Sequence, residues 1–574
     1  MSQSSLPPPP RSLASVTAQL LTTGTPFETE RVEIGGVPTR VWKKAPPHLR
    51  AILETSLEHG DRPALVLDEQ RISHTEYYRR AAALAHRLVT DHGVAKGDRV
   101  AIAMRNRPEW VVSFFAAASI GAIVVPLNAW WVGRELEFGL RDSGAKVLIA
   151  DGERLDRLAD LSTPPATIAV DVGRRLPPGA RTWEQTLGHP APDVRLPEVE
   201  LHPDDPVTIF YTSGTTGLPK GALGSHRNLV SNIVSGAYAR ARALMRAGVD
   251  LDDVLTLAEQ LPPPVILCAV PLFHATGAQS VMLPTLFTGG TLVLVHKWDA
   301  DAAPALIERE RVTGMTGVPT MLTQLLASPR LAEHDVSSLV MLNSGGAPAA
   351  PAIVSRARAS LHDLLLGVGY GLTECSAIAT SNMGPDYLLR PDSVGAPVAV
   401  VDVRVSGPDG TELPPGEVGE VWLRGPGVVH GYWKRPEATA QAITDGWLRT
   451  GDLGRLDEEG FLYIVDRAKD MIIRGGENVY CAEVEAAIHE HPAVAEVAVV
   501  GVPHDVLGEE VGALVRVLPG VPLDVDDLRA HLRERIAAFK IPTHITLTTG
   551  ELPRNAAGKL LKKQVRDRLR PRSG

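Results

Sequence analysis

Short apolar runs alternate with longer amphipathic stretches along most of the chain. Arg99-Val-Ala-Ile-Ala-Met104, Lys146-Val-Leu-Ile-Ala150, Val265-Ile-Leu-Cys-Ala-Val270 and Thr291-Leu-Val-Leu-Val295 read as buried strands. Between them, Thr75–His92 and Asp301–Arg311 carry helical periodicity. This alternation predicts α/β layers built on parallel-rich sheets. Near residue 400 the texture changes. Val401-Asp-Val-Arg-Val405, Gly419-Glu-Val-Trp-Leu423 and Gly460-Phe-Leu-Tyr-Ile-Val465 are short strands separated by Gly/Pro turns, which predicts a β-rich subdomain over 396–465. After Asp466-Arg-Ala-Lys-Asp470 a helix (Glu483–His491), a strand (Glu496–Val500) and a second helix (Val525–Ala538) suggest a small α+β domain. The expected organisation is a disordered or variable leader over 1–45, a large domain over 46–468 and a small C-terminal domain over 469–574.

One stretch could mislead. Trp110–Gly133 has no charged residue and is long enough for a membrane span. However, Pro108-Glu109 is a helix start, Gly121 interrupts the run, and Ala122-Ile-Val-Val-Pro126 reads as a core strand. A buried helix, a turn and a strand fit better than a span.

Composition narrows the class. A chain of 574 residues exceeds what one core supports, so at least two domains are expected. With 44% hydrophobic and 22% charged residues it has the make-up of a globular protein. A net charge of −9 argues against nucleic-acid binding. The basic residues at the C-terminal end (Lys562, Lys563, Arg566, Arg568, Arg570 and Arg572) read as a solvated helix and tail. Cys268, Cys375 and Cys481 have no paired spacing, which fits neither a disulfide framework nor a zinc site and suits a reducing, cytoplasmic setting. The N-terminus lacks a signal pattern.

Four segments carry candidate chemistry. Tyr211-Thr-Ser-Gly-Thr-Thr-Gly-Leu-Pro-Lys-Gly221 combines turn-forming glycines, hydroxyls and one lysine, a set suited to a polyphosphate. Its spacing is not that of the common phosphate loop. Gly369-Tyr-Gly-Leu-Thr-Glu374 offers a ring face for a planar base and a carboxylate for Mg2+. Gly446-Trp-Leu-Arg-Thr-Gly-Asp-Leu453, followed by Asp466-Arg467, places Asp452 as an acceptor for ribose hydroxyls. Leu552-Pro-Arg-Asn-Ala-Ala-Gly-Lys559 puts a lysine at the tip of a loop. Each alone is compatible with an ordinary structural turn.

Together and in this order, the segments resemble the adenylate-forming superfamily of acyl-CoA synthetases, peptide-synthetase adenylation domains and luciferases. The resemblance runs from about residue 50 to 570 and is closest to the fatty-acid-type CoA ligases. It implies ATP, Mg2+ and coenzyme A as cofactor and co-substrates. Thr212, Ser213, Gly214, Thr215, Thr216, Gly217 and Lys220 would hold the β- and γ-phosphates of ATP. Gly345, Gly346, Ala347 and Tyr370 would frame the adenine. Thr373 would touch the α-phosphate, Thr215 and Glu374 would hold the metal, and Asp452 with Arg467 would take the ribose. His274 would border the acyl and phosphate sites, and Lys559 would reach in from a mobile C-terminal domain during adenylation. Lys469 would be the hinge. Arg474, Gly475 and Gly476 would line the pantetheine tunnel. Cys481 stands where the family most often has proline, a change expected to be tolerated.

An acyl pocket lined by His274, Thr276, Gly277, Val318, Pro319, Met321 and Gly371 would be small, neutral and apolar, suiting an uncharged hydrophobic tail. The expected reaction converts a carboxylic acid to acyl-AMP with release of pyrophosphate, then to acyl-CoA and AMP. A stand-alone adenylating enzyme serving a carrier-protein thiol or an amine is the alternative. A non-catalytic scaffold is disfavoured by the intact Lys220, Glu374, Asp452 and Lys559, and nothing specifically supports an oxidative luciferase. The chain length of the acid, peripheral membrane contact and a homodimer stay open.

Overall fold

The computed structural model describes residues 11–569 apart from 162–163, 174–175, 213–218, 346–353, 355–356, 358–360, 362–363, 469, 475–476, 505 and 555–559. The chain divides into two compact units: 1–403 with 422–449 and 459–462, and 404–421 with 450–458 and 463–574.

The first unit is α/β, as the alternating pattern predicts. One sheet runs in the order Lys220–Ser225, Pro206–Thr212, Ile123–Pro126, Arg99–Ala103, Val147–Asp151, Ala166–Val170, Arg181–Thr182. Its first pair is antiparallel and the rest are parallel. A second, nine-stranded sheet has a parallel centre, Leu365–Tyr370, Met341–Gly345, Gly314–Gly317, Val265–Cys268, Thr291–Leu294 and Pro63–Leu67, with antiparallel strands at its ends. Strands buried on both faces explain why these runs are continuously apolar rather than alternating.

The charge-free stretch resolves into the helix Pro108–Ser119 and the strand Ile123–Pro126. Trp110, Phe114 and Phe115 are fully buried, and Phe115 meets Tyr77 of the helix His74–Thr90 edge to face at 5.6 Å. A helix buried on all sides needs no polar face. No helix among the described residues is long and apolar enough to cross a membrane.

Residues 11–45, expected as part of a disordered leader, are instead folded. Ser12 caps the helix Leu13–Leu20, and a hairpin follows over Thr29–Ile34 and Val37–Trp42. The physical reason is burial. Val16, Leu20, Phe27 and Trp42 join one core with Tyr238 and Met245 of the helix His226–Arg246, and Trp42 Nε1 donates to Ser235 Oγ at 3.0 Å.

Over 396–465 the expected short strands form at Asp402–Ser406, Gly419–Arg424, Trp447–Leu456 and Leu462–Arg467. In the second unit, Val494–His504 and Gly508–Val517 form a long antiparallel hairpin, with His544–Thr548 added in parallel and the short strands Ile472–Arg474 and Glu477–Val479 beyond. Val497 and Val499 face the helices Cys481–His489 and Val525–Arg533, whereas Ala498, Val500 and Val502 face the helix Lys562–Leu569. The two-residue period of a strand feeds both layers.

Candidate active site

Strands Val265–Cys268, Gly314–Gly317, Met341–Gly345 and Leu365–Tyr370 lie side by side in parallel, with Ile266 opposite Gly314, Gly317 opposite Ser344 and Gly345 opposite Gly369. Their carboxyl ends gather the segments that follow: the loop to His274, Val318–Met321, Gly345, and Tyr370–Glu374. Ligands of open α/β sheets bind at such ends.

Local packing fixes these segments. Thr276 and Gly277 open a π-helical stretch, Thr276–Met282, and a Cβ on Gly277 would fall 2.2 Å from the Pro271 carbonyl. The His274 amide donates to that carbonyl at 3.1 Å. Val318 precedes the helix Pro319–Ala327, which carries Met321. A Cβ on Gly371 would fall 2.1 Å from the Ala377 carbonyl, so only glycine lets the following turn fold back. That turn holds Thr373 and Glu374 in a single 3-10 turn, Thr373–Cys375, and then passes through Ser376 (φ 56°) and Ala377 (φ 80°). Two consecutive non-glycine residues at positive φ store backbone strain, which concentrates at functional turns.

The candidate phosphate loop joins the antiparallel strands Pro206–Thr212 and Lys220–Ser225. Thr212 faces Lys220 across this hairpin, and its Oγ1 donates to the Lys220 carbonyl at 3.3 Å. Ser213, Gly214, Thr215, Thr216 and Gly217 lie outside the described residues, as do Gly346 and Ala347.

A segment distant in sequence completes this region. The Leu223 amide donates to the Gly431 carbonyl (2.9 Å), the His430 amide to the Leu223 carbonyl (3.0 Å) and the Trp433 amide to the Gly221 carbonyl (2.7 Å). Residues 430–433 thus pair beside Lys220–Ser225 through an isolated antiparallel bridge of Tyr432 with Ala222. Tyr432 is thereby brought between two predicted site residues. Lys220 Nζ sits over its ring, 5.0 Å from the centroid, and its hydroxyl donates to Glu374 Oε1 at 2.8 Å. Burial, with the adjacent Glu374 carboxylate, pushes the phenol well above its ordinary pKa, so it remains a donor. Upstream, Asn228 Nδ2 donates to the carbonyls of Pro426 (2.7 Å) and Val428 (3.0 Å). Neither Tyr432 nor Asn228 lies in one of the four motif segments of the sequence. The only local signal was a tyrosine following a glycine, as at 369–370.

In the second unit, Arg467 Nε lies 3.0 Å from Asp452 Oδ1. Asp452 is buried, and its amide donates to Thr450 Oγ1 at 3.0 Å. Arg474 ends the strand Ile472–Arg474, with its guanidinium 3.7 Å from Glu510. Lys469, Gly475, Gly476 and Lys559 lie outside the described residues. Cys481 begins the helix Cys481–His489; its amide donates to the Asp466 carboxylate and its thiol to the Asp470 carbonyl at 3.0 Å. A proline suits the first helical position because it has no N–H to lose. Here that N–H is used, so cysteine ties down Asp466 and Asp470 where proline could not.

The family comparison decides the identity. The model of the AMP-binding enzyme matches residues 53–433, and that of the AMP-binding enzyme C-terminal domain matches 483–559. The chain belongs to the AMP-binding enzyme family, the adenylate-forming acyl-CoA synthetases. Its class of reaction is that of an AMP-forming acid–CoA ligase, which uses ATP and CoA. Among its relatives, a feruloyl-CoA synthase of an Amycolatopsis species is 39% identical over 87% of this chain and 94% of its own. A long-chain-fatty-acid–CoA ligase of Yersinia pestis is 33% identical over 89% of this chain and 92% of its own. The crystal structure of ATP-bound MatB from Rhodopseudomonas palustris superposes with a TM-score of 0.78 at 32% identity, covering 91% of this chain and 98% of that one.

Proposed function

We propose that this enzyme activates a hydrophobic carboxylic acid, fatty or aromatic, as its acyl-AMP and transfers the acyl group to CoA in the cytoplasm. The observation that carries this reading is the convergence of Lys220 and Glu374 on Tyr432, beside strand ends that gather His274, Gly345 and Tyr370.

In the first half-reaction a carboxylate oxygen attacks the α-phosphorus, and the bond to pyrophosphate breaks. Two anions must approach each other, so the site has to supply positive charge before they meet. Lys220 and the hairpin around it would hold the β- and γ-phosphates, Thr373 the α-phosphate, Gly345 to Ala347 and Tyr370 the adenine, and Asp452 with Arg467 the ribose. Lys559 would neutralise charge developing at the α-phosphate. Glu374 and Thr215 suit Mg2+, a hard cation that takes oxygen ligands and commonly shares them with nucleotide phosphates. Among the described residues no group of three His, Cys, Asp or Glu side chains could hold a metal ion. When bound, that ion would disperse charge on the phosphate oxygens.

In the second half-reaction the CoA thiolate attacks the carbonyl carbon and AMP leaves. The domain beyond the hinge at Lys469 would turn to present Arg474, Gly475 and Gly476 to the pantetheine. The pocket residues His274, Thr276, Gly277, Val318, Pro319, Met321 and Gly371 bring no Lys, Arg, Asp or Glu to the acyl chain, which supports an uncharged tail.

The test is product analysis by mass spectrometry with purified enzyme, ATP, Mg2+, CoA and a mixed pool of fatty and hydroxycinnamic acids. Acyl-CoA with stoichiometric AMP is expected, and the enriched thioester names the acid. Acyl-AMP without thioester would transfer the reading to another acceptor.

A further inference from the structure

We propose that Tyr432 is a positioning residue of the nucleotide site: it holds Glu374 toward a divalent cation and Lys220 toward polyphosphate oxygens, and keeps the two from pairing with each other. This rests on the adenylation reading above.

A lysine and a glutamate serving the same nucleotide face a physical conflict. Opposite charges attract, and a direct ion pair would spend both groups before the ligand arrives. Tyr432 is interposed. The ammonium rests against the electron-rich face of the ring at 5.0 Å, and the carboxylate accepts from the hydroxyl at 2.8 Å. One aromatic side chain thus satisfies a cation and an anion through different parts of itself. With Oε1 occupied by the phenol, Oε2 is the oxygen that Glu374 would offer to a metal.

Such a role requires the ring to be held from behind, and it is. The Tyr432 amide donates to Thr439 Oγ1 at 2.9 Å, and Gly431 (φ 138°) sits so near Thr439 that a Cβ would fall 2.4 Å from its methyl. On the C-terminal side, Arg435 donates to Asp142 Oδ1 at 2.7 Å and Trp433 Nε1 to the Asp142 carbonyl at 3.1 Å. Asp142 Oδ2 also accepts from the Tyr211 hydroxyl at 2.8 Å, so the residue before Thr212 shares this anchor. On the N-terminal side, the Val429 amide donates to the Glu374 carbonyl at 3.0 Å, and Asn228 holds the flanking carbonyls. The ring, the hairpin and the glutamate turn form one braced unit.

Two variants of the full chain separate the two contacts: Tyr432→Phe keeps the ring under Lys220 and removes the hydroxyl, and Tyr432→Leu removes both. ATP binding would be followed by calorimetry while Mg2+ is titrated, with Mn2+ paramagnetic resonance as a second probe and thermal unfolding alongside. In Tyr432→Phe the Mg2+ midpoint in the presence of ATP should rise roughly tenfold, the weight of one hydrogen bond to a charged group. Its metal-free ATP affinity and unfolding temperature should stay native. Tyr432→Leu should also weaken metal-free ATP binding by about three- to fivefold, the weight of a part-exposed cation–π contact. A native Mg2+ midpoint in Tyr432→Phe overturns the proposal. The two readings fail separately: a native enzyme that binds Mg2+ and ATP but makes no acyl-AMP defeats the activity and not the positioning, whereas acyl-AMP formation with an unaltered Tyr432→Phe defeats only the positioning.

Discussion

Opposite charges at the candidate site are held differently in the two units, although direct pairs such as Arg246 with Asp386 brace the first unit as well. In the second unit they meet directly: Arg467 pairs with Asp452 at 3.0 Å, and Lys562 lies 3.4 Å from Asp470. In the first unit, Lys220 and Glu374 are linked through the ring face and the hydroxyl of Tyr432. The contrast teaches that a charge which fixes its own chain can be neutralised within the fold, whereas one meant for an incoming polyphosphate or cation is better held by a neutral partner that the ligand can outbid.

The largest effect should come from Lys559→Ala, because that lysine would act only on the reacting phosphate. Adenylation, read by pyrophosphate exchange, should fall by roughly two to three decades or more, the usual cost of removing one preorganised charge-stabilising group. Thioester formation from supplied acyl-AMP should fall less; equal losses in both steps would erase the division of labour between the half-reactions.

Next, Lys220→Ala should weaken use of ATP by about one to two decades, the weight of hydrogen bonds to a charged group. Its unfolding temperature should barely change, since the ammonium rests on a ring face. Asp452→Asn sharpens the contrast. It should raise KM for ATP and also cost about 1 kcal/mol or less in stability, because its Arg467 partner is 43% exposed and solvent screens the pair. Comparable stability losses in the two variants would break the comparison.

Asn228→Ala should destabilise the first unit by about 1–3 kcal/mol in chemical unfolding, since the carbonyls of Pro426 and Val428 lose their donor. A last effect is one of pH. Burial pushes the Glu485 carboxyl up to about 7, with nearby Lys562 opposing the shift and the Val499 amide donating to it at 2.8 Å. A raised folded-state pKa means this group's contribution is fully present below its ordinary value of 4.5 and is lost as pH rises through about 7. Unfolding measured at pH 5 and pH 8 should therefore show a decline of about 1–2 kcal/mol that Glu485→Gln removes.

Much of this was legible in the sequence, and what was not has identifiable causes. Strands such as Arg99–Ala103 and Val147–Asp151 announced themselves because burial on both faces demands continuous apolar runs. The helix Pro108–Ser119 could be told from a membrane span by its proline start and the glycine that ends it. Residues 11–45 are hard to read as folded because they follow the proline run at 7–10 and their four well-spaced core residues, Val16, Leu20, Phe27 and Trp42, have partners some two hundred residues away. Tyr432 was unreadable for the same reason. It reaches Lys220 and Glu374 only because residues 430–433 pair beside Lys220–Ser225, a long-range register that no local pattern encodes. Cys481 was noted as a departure from the family, but its use as the donor to Asp466 emerges only from the fold.

The most direct test of the central claim follows an oxygen atom. If the acid carries 18O in its carboxylate, attack on the α-phosphorus places one labelled oxygen in the acyl-phosphate bridge, and attack by the CoA thiolate at the carbonyl carbon leaves that oxygen on AMP. Mass spectrometry of the products should then find one 18O in each AMP and none in pyrophosphate. Label in pyrophosphate or inorganic phosphate, or unlabelled AMP beside the acyl-CoA, would contradict activation through an acyl-adenylate.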